Sequence, residues 1–192
     1  MSTGNATLHQ DEVLYCESMN VDGTALSAAE LQTLAGLTAT TAELNRATDL
    51  STRMVSSTAT TLTVTLASHD AKVVLLASAT TQTVVLPAAS GTGAKYHFVV
   101  SVLSTDGNKV IKVANTLDAM YGVCASHSTA TNEVSSFLTS AASDTITFDN
   151  TTTGGIVGTQ VEIIDVAANK FLVKVDAAAS GTIATPFSSG VN

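Results

Sequence analysis

The run Thr61-Leu62-Thr63-Val64-Thr65-Leu66 alternates strictly between hydroxylated and aliphatic side chains, and this two-residue rhythm constrains the fold more than any other feature. Successive side chains of an extended strand point to opposite faces, so such a run has one wet face and one buried face. The rhythm returns in Lys72-Val73-Val74-Leu75-Leu76, in Gln82-Thr83-Val84-Val85-Leu86-Pro87, in KYHFVVSVL (95–103) and in Lys109-Val110-Ile111-Lys112-Val113. It continues in Asp144-Thr145-Ile146-Thr147-Phe148, QVEIIDV (160–166) and KFLVKVD (170–176), with one further strand expected over 134–138. Turn signals separate the runs: Ser90-Gly91-Thr92-Gly93, Asp106-Gly107-Asn108, Thr151-Thr152-Thr153-Gly154-Gly155 and Ala167-Ala168-Asn169. The Asp106-Gly107-Asn108 and Ala167-Ala168-Asn169 signals predict hairpins. Short strands punctuated by Gly and Asn turns predict a mainly β domain over 56–192, an antiparallel β-sandwich or barrel with a C-terminal tail.

The N-terminal quarter reads differently. Residues 1–24 carry short apolar pieces such as Val13-Leu14-Tyr15, with a turn signal at Asp22-Gly23, and predict an extended arm. Residues 25–55 predict two short helices. Ser27-Ala28-Ala29-Glu30 and Thr40-Thr41-Ala42-Glu43 both fit the capping box, in which a hydroxyl accepts from the backbone of a Glu whose side chain reaches back. Leu26 is placed to staple onto Leu31 or Leu34, and Gly36 is a fitting stop. Helices this short need a surface to lie on. The candidate contacts with a neighbouring subunit or another surface are therefore Val13, Leu14 and Tyr15 on the arm, and Leu31, Leu34 and Leu44 on the helices.

Composition narrows the functional classes. Eight Lys and Arg against sixteen Asp and Glu, a net charge of −8, exclude an electrostatic nucleic-acid binder. No apolar run approaches the length that crosses a bilayer, and the N-terminus has neither the basic start nor the apolar stretch of a signal peptide. Cys16 and Cys124 read as free thiols of a chain made in a reducing cytoplasm. Asn5-Ala6-Thr7 and Asn150-Thr151-Thr152 then carry no weight as glycosylation sites. Thr, Ala and Ser make up about two-fifths of the chain and Trp is absent. Such weakly hydrated, sparsely charged surface is easily buried against a partner.

Each fragment of chemistry has a plainer reading beside it. Cys124-Ala125-Ser126-His127 has the spacing of half a metal site, with His9 and Cys16 as the remaining donors, but zinc needs four converging ligands with supporting partners. Ser68-His69-Asp70 holds the residue types of a triad, yet three consecutive side chains cannot converge on one proton path, and a turn accounts for them. Gly91-Thr92-Gly93-Ala94-Lys95 faintly resembles a phosphate loop without its spacing or following helix, and reads as a turn. The carboxylates Asp144, Asp149, Glu162, Asp165 and Asp176 fall on or beside strands, but a glycosidase pair would want aromatic platforms for the sugar. A cation held by carboxylates on an oligomer axis has no sequence support, and His97 reads as an outward or interface position. The chain is expected to be no enzyme and to hold no cofactor and no metal.

The stretch from Gly36-Leu37-Thr38-Ala39-Thr40-Thr41-Ala42-Glu43-Leu44-Asn45 to Ser51 resembles the TA-x-x-AE-(I/L)-N element of tailed-bacteriophage structural proteins. Residues 83–100 (TVVLPAASGTGAKYHFVV) are similar to a TVTLPAATG-x-GA-x-(F/Y)-x-FVV block of the same proteins. Ser143-Asp144-Thr145-Ile146-Thr147, Gly154-Gly155, Val161-Glu162-Ile163-Ile164-Asp165 and the closing Ala184-Thr185-Pro186-Phe187-Ser188 extend the likeness, which covers 36–188. The family so resembled is the capsid decoration, or cement, proteins. That resemblance implies a homotrimer bound to the major capsid protein on the exterior of the virion, with neither nucleic acid nor membrane as partner. The TA-x-x-AE element is shared with fibres, so a head- or tail-fibre component, involved in host adsorption, is the alternative. A carbohydrate-binding or hydrolytic tailspike domain is a third class, and it would require clustered aromatics and paired carboxylates.

Overall fold

The computed structural model describes residues 53–191, the backbone of 18–21 and 24–27, and Thr40, Glu43 and Leu44. The chain divides into two units, Met1–Thr48 and Asp49–Asn192. In the first unit β1 (Ser18–Val21) pairs antiparallel with β2 (Thr24–Ser27), Val21 opposite Thr24 and Ser18 opposite Ser27. Within the expected arm and at the first residues of the expected helical segment, 18–21 and 24–27 thus form a strand pair. Ser27, the expected helix cap, ends β2, and an extended backbone is what a cap residue adopts; residues 28–36, the expected body of that helix, lie outside the described residues. The second capping box forms as expected. Thr40 donates from its N–H and its hydroxyl to Glu43 Oε2, both at 2.7 Å, and Glu43 N–H donates to Thr40 Oγ1 at 3.3 Å. Leu44 N–H then closes the turn on Thr40 O at 3.0 Å.

The second unit is a mainly β sandwich of two sheets. Its strands are β3 (Met54–Ser57), β4 (Thr61–Thr63), β5 (Lys72–Leu76), β6 (Thr80–Val85), β7 (Lys95–Val100), β8 (Asp106–Lys112), β9 (Ala119–Ser128), β10 (Val134–Leu138), β11 (Thr145–Phe148), β12 (Gln160–Ala167), β13 (Lys170–Ala179) and β14 (Phe187–Ser188). A seven-stranded sheet runs β10-β9-β13-β12-β7-β5-β3, and a five-stranded sheet runs β14-β11-β8-β6-β4. The inner faces supply one core. Val74, Leu76, Phe98, Met120, Ile163, Phe171 and Val175 come from the larger sheet, Val84, Ile111, Ile146 and Phe148 from the smaller.

From β3 to β9 the chain changes sheet at every connection. Strands two apart in sequence therefore lie side by side and run parallel: β3 with β5, β5 with β7, β4 with β6, and β6 with β8. The sheets are accordingly mixed, with antiparallel ladders at β12–β13, β12–β7, β9–β10 and β8–β11, and a long parallel ladder between β9 and β13. The hairpin expected at Asp106-Gly107-Asn108 does not form, because β7 and β8 belong to different sheets. Gly107 has another purpose. Its φ is +88°, and a Cβ there would fall 1.9 Å from Thr81 Oγ1, so glycine lets β8 lie close to β6. The hairpin expected at Ala167-Ala168-Asn169 joins β12 to β13 as foreseen, with Asn169 at φ +62°.

Candidate interaction surface

Inward parity carries several polar side chains into the sandwich, and each is committed to a structural task. Asp165 shares the inner side of β12 with Val161 and Ile163 and is 2% exposed. Its carboxylate accepts from Ser90 N–H at 3.1 Å, Gly91 N–H at 2.7 Å, Thr92 N–H at 3.1 Å and the Thr92 hydroxyl at 2.7 Å. The loop that faintly resembled a phosphate cradle is thus an anion cradle in geometry, and its anion is the chain's own Asp165. Burial alone would raise the Asp165 pKa. The Thr92 hydroxyl and the backbone N–H groups of Thr92, Gly91 and Ser90 outweigh it and hold the carboxyl below its ordinary range.

Asp149 does the same within its own turn. It accepts from the N–H groups of Thr151, Thr152 and Thr153 at 2.7–2.9 Å and from the Thr152 hydroxyl at 2.6 Å. Against the upward push of burial, these bonds hold its pKa far below the usual carboxylate value. Asp144 takes Gly190 N–H at 2.7 Å, tying down the C-terminal segment, and Asp118 takes Ala89 N–H at 3.1 Å. Backbone N–H groups with no ladder partner are satisfied in this way, which makes these aspartates fasteners of loops.

The other candidate chemistry is dispersed. Alternation along β9 puts Cys124 inside and His127 outside, so the two cannot ligate one ion. Burial, with the charge of Asp176 adding to it, pushes the Cys124 thiol up to about 12. His127 Nε2 lies 3.3 Å from Asp176 Oδ1 on the solvent side. His69 closes a one-turn helix, Leu66–His69, with its Nδ1 3.1 Å from Thr65 N, while Asp70 accepts from Lys95 N–H at 3.0 Å. Ser68, His69 and Asp70 therefore act apart. Lys109, on the inner side of β8, is wholly buried; its Nζ donates to Ser78 O at 2.7 Å, and desolvation lowers its pKa. Among the described residues no group of three or more His, Cys, Asp or Glu is placed to hold a metal ion, and no helix is long and apolar enough to cross a membrane.

The two outer faces of the sandwich differ. The five-stranded sheet presents rows such as Thr61–Thr83–Val110–Thr147, dominated by threonine. The seven-stranded sheet presents large apolar groups beside charges. One row across it reads Leu138, Val123, Lys174, Glu162, His97, Val73, Met54. The next reads Tyr121, Leu172, Ile164, Lys95. Leu172 is 49% exposed and Leu138 77%. A groove of about 390 Å³ opens beside Val73, His97, Glu162 and Ile164, flanked by Lys72 and Lys95. His97 Nε2 contacts Gln160 Oε1 at 3.0 Å, on the outward position its strand parity required.

Of the residues expected to make contacts, Leu44 follows the formed cap and is 37% exposed. Val13, Leu14, Tyr15, Leu31 and Leu34 lie outside the described residues, as do His9, Cys16 and the rest of the first capping box. The outer face of the large sheet was missed in the sequence, although one signal was there. In KFLVKVD, Leu172 shares its parity with Lys170, Lys174 and Asp176, so an apolar group stands on the wet side of the strand. No family model, no curated protein and no solved structure matches the chain.

Proposed function

We propose that the chain is a non-enzymatic virion protein of a tailed bacteriophage, bound as a homotrimer to the major capsid protein on the outside of the head, where it acts as a decoration protein. The observation that carries this reading is the run of residues 83–100, with its continuation through 143–165, which resembles the corresponding blocks of capsid cement proteins. In the fold those blocks are β6, the Asp165-bound loop and β7, then β11, the Asp149-bound turn and β12. Two of the residues in the resembling stretches, Asp144 and Asp165, fasten a terminal segment and a loop to the sheets. A body whose loops are tied down loses little conformational entropy on docking, which suits a protein that works by adhesion.

Cementing needs no reacting group. A protein that binds only the assembled shell stabilises that shell by mass action, and repetition over a lattice multiplies modest single contacts. The test is imaging of purified virions with this protein located in the density, together with co-sedimentation on undecorated heads. Density on the head surface and saturable binding to heads are expected. Density on tails or projecting rods would move the protein to the fibre class, and absence from purified particles would end the proposal. Removing residues 1–24 should weaken binding to heads while the β unit stays folded; undiminished co-sedimentation would refute a contact role for the arm.

A further inference from the structure

We propose that the outer face of the seven-stranded sheet pairs with the same face of a second copy of this chain, about a two-fold axis running along the seam between β12 and β13. The argument is independent of the capsid reading and starts from the residues that flank that seam. On β13 the outward residues are Leu172 and Lys174, and directly opposite on β12 are Ile164 and Glu162. One strand further out, Tyr121 of β9 adjoins Leu172, and Lys95 of β7 adjoins Ile164.

A two-fold axis along the seam exchanges the strands on its two sides and preserves position along them. Each Lys174 then faces the second copy's Glu162, each Leu172 faces Ile164, and each Tyr121 ring faces a Lys95 ammonium. An isologous interface makes every such contact twice, so the whole set is self-complementary. Opposite charges meet opposite charges, aliphatic groups meet aliphatic groups, and a cation meets an aromatic face. Stacked sheets cross at about 30° because of their twist, so the match is best beside the axis, where Lys174 and Glu162 stand. Other axes do less well. One perpendicular to the strands through this row would set Lys174 against Lys174 and Glu162 against Glu162.

The threonine face of the smaller sheet offers no such pattern. Among the described residues, none of the exposed large apolar side chains lies on its strands, whereas Met54, Tyr121, Val123, Val134, Leu138 and Leu172 lie on strands of the larger sheet. The face carries Lys95, Lys170 and Lys174 with Glu162 and Asp176 among its apolar groups, so it suits a partner with the same mixture of both signs and apolar area. A second copy of the chain has it by construction.

The test is the mass of the full chain by sedimentation velocity, for wild type and for Lys174→Glu and Glu162→Lys, at matched concentration. The wild type should contain an even number of copies, and each single variant should show half that mass, because like charges then meet twice across the axis. Mixing the two single variants should restore the wild-type mass, since the carboxylate introduced at position 174 of one copy then faces the ammonium introduced at position 162 of the other. Within each chain the cross-strand pair stays like-charged in the mixture, so restoration reports contact between copies and not repaired folding. Should either variant fail to fold, Leu172→Glu serves in its place and should also halve the mass. An odd number of copies, unchanged mass in the variants, or a mixture that stays at half mass overturns the pairing. The outcome also separates this inference from the trimer proposed above: a dimer supports pairing alone, a trimer supports three-fold assembly alone, and a hexamer supports both.

Discussion

Replacing Asp165 by Asn keeps the shape of the side chain and removes its charge and one acceptor oxygen. In the native protein Oδ1 accepts from Ser90 and Gly91 N–H, and Oδ2 from Thr92 N–H and the Thr92 hydroxyl. In the variant an amide NH₂ takes the place of one oxygen, so one donor pair faces a donor and the remaining bonds lose their charge assistance. Hydrogen bonds to charged groups contribute about 1.5–3 kcal/mol against about 0.5–1.5 for neutral ones, so four weakened bonds sum to a loss of about 5 kcal/mol. For a unit of this size each kcal/mol is worth roughly 3 °C, which predicts a fall in Tm of about 15 °C at pH 7. The pH dependence provides the sharper check. The folded Asp165 pKa lies below its unfolded value, so its contribution is present above about pH 4 and is lost as pH falls through the folded value. Asn does not titrate. Thermal melts of both proteins between pH 7 and pH 2 should therefore converge as the solution is acidified. Equal stability at pH 7, or a gap equally wide at both ends of the range, would refute the account of this loop.

Lys109→Met should stabilise the protein by about 1–2 kcal/mol at pH 7 in urea titration, since a buried ammonium with only a carbonyl partner gives way to an apolar chain of similar length. Because the folded Lys109 pKa is lowered, its penalty is fully present below that value and disappears as pH rises toward the ordinary value of about 10.4, so the gap between variant and wild type should narrow in alkali. Asp149→Ala frees three N–H groups in the 151–153 turn, and hydrogen exchange should rise there first, with a loss of about 2 kcal/mol overall. In a Cys16→Ser background, Cys124 should resist a disulfide reagent at pH 8 until the chain is unfolded, since its thiol pKa is pushed up to about 12; prompt reaction of native protein would contradict its burial.

The strands were legible because their parity is written in the sequence. Leu62 and Val64, Val84 and Leu86, and Phe171, Val173 and Val175 each mark an inner face. Sheet membership was not legible. The residues 101–105 between β7 and β8 join a strand of one sheet to a strand of the other, and nothing in the local alternation distinguishes such an arch from a hairpin loop. Pairing was readable only where two strands are joined by the shortest connections, as at Ala168 and Asn169. The Asp165 cradle was half visible. Gly91-Thr92-Gly93 faintly resembles a phosphate loop but reads as a turn, and its partner lies more than seventy residues downstream, with no spacing rule to link them. Lys109 escaped notice because a Lys at the start of a strand reads as solvated, whereas its parity with Ile111 turns it inward.

The back-and-forth course of the chain from β3 to β8 also dictates when order can arise during synthesis. No strand in that stretch finds its sheet neighbour next in sequence, so a nascent chain emerging up to Val85 has laid down only fragments of each layer. Every rung must wait for the segment after next, and the β9–β13 ladder must wait until residues 170–179 have been made. Growth of structure is therefore deferred until later strands have been made. Slow acquisition of native structure follows, with contacts closing over long stretches of chain.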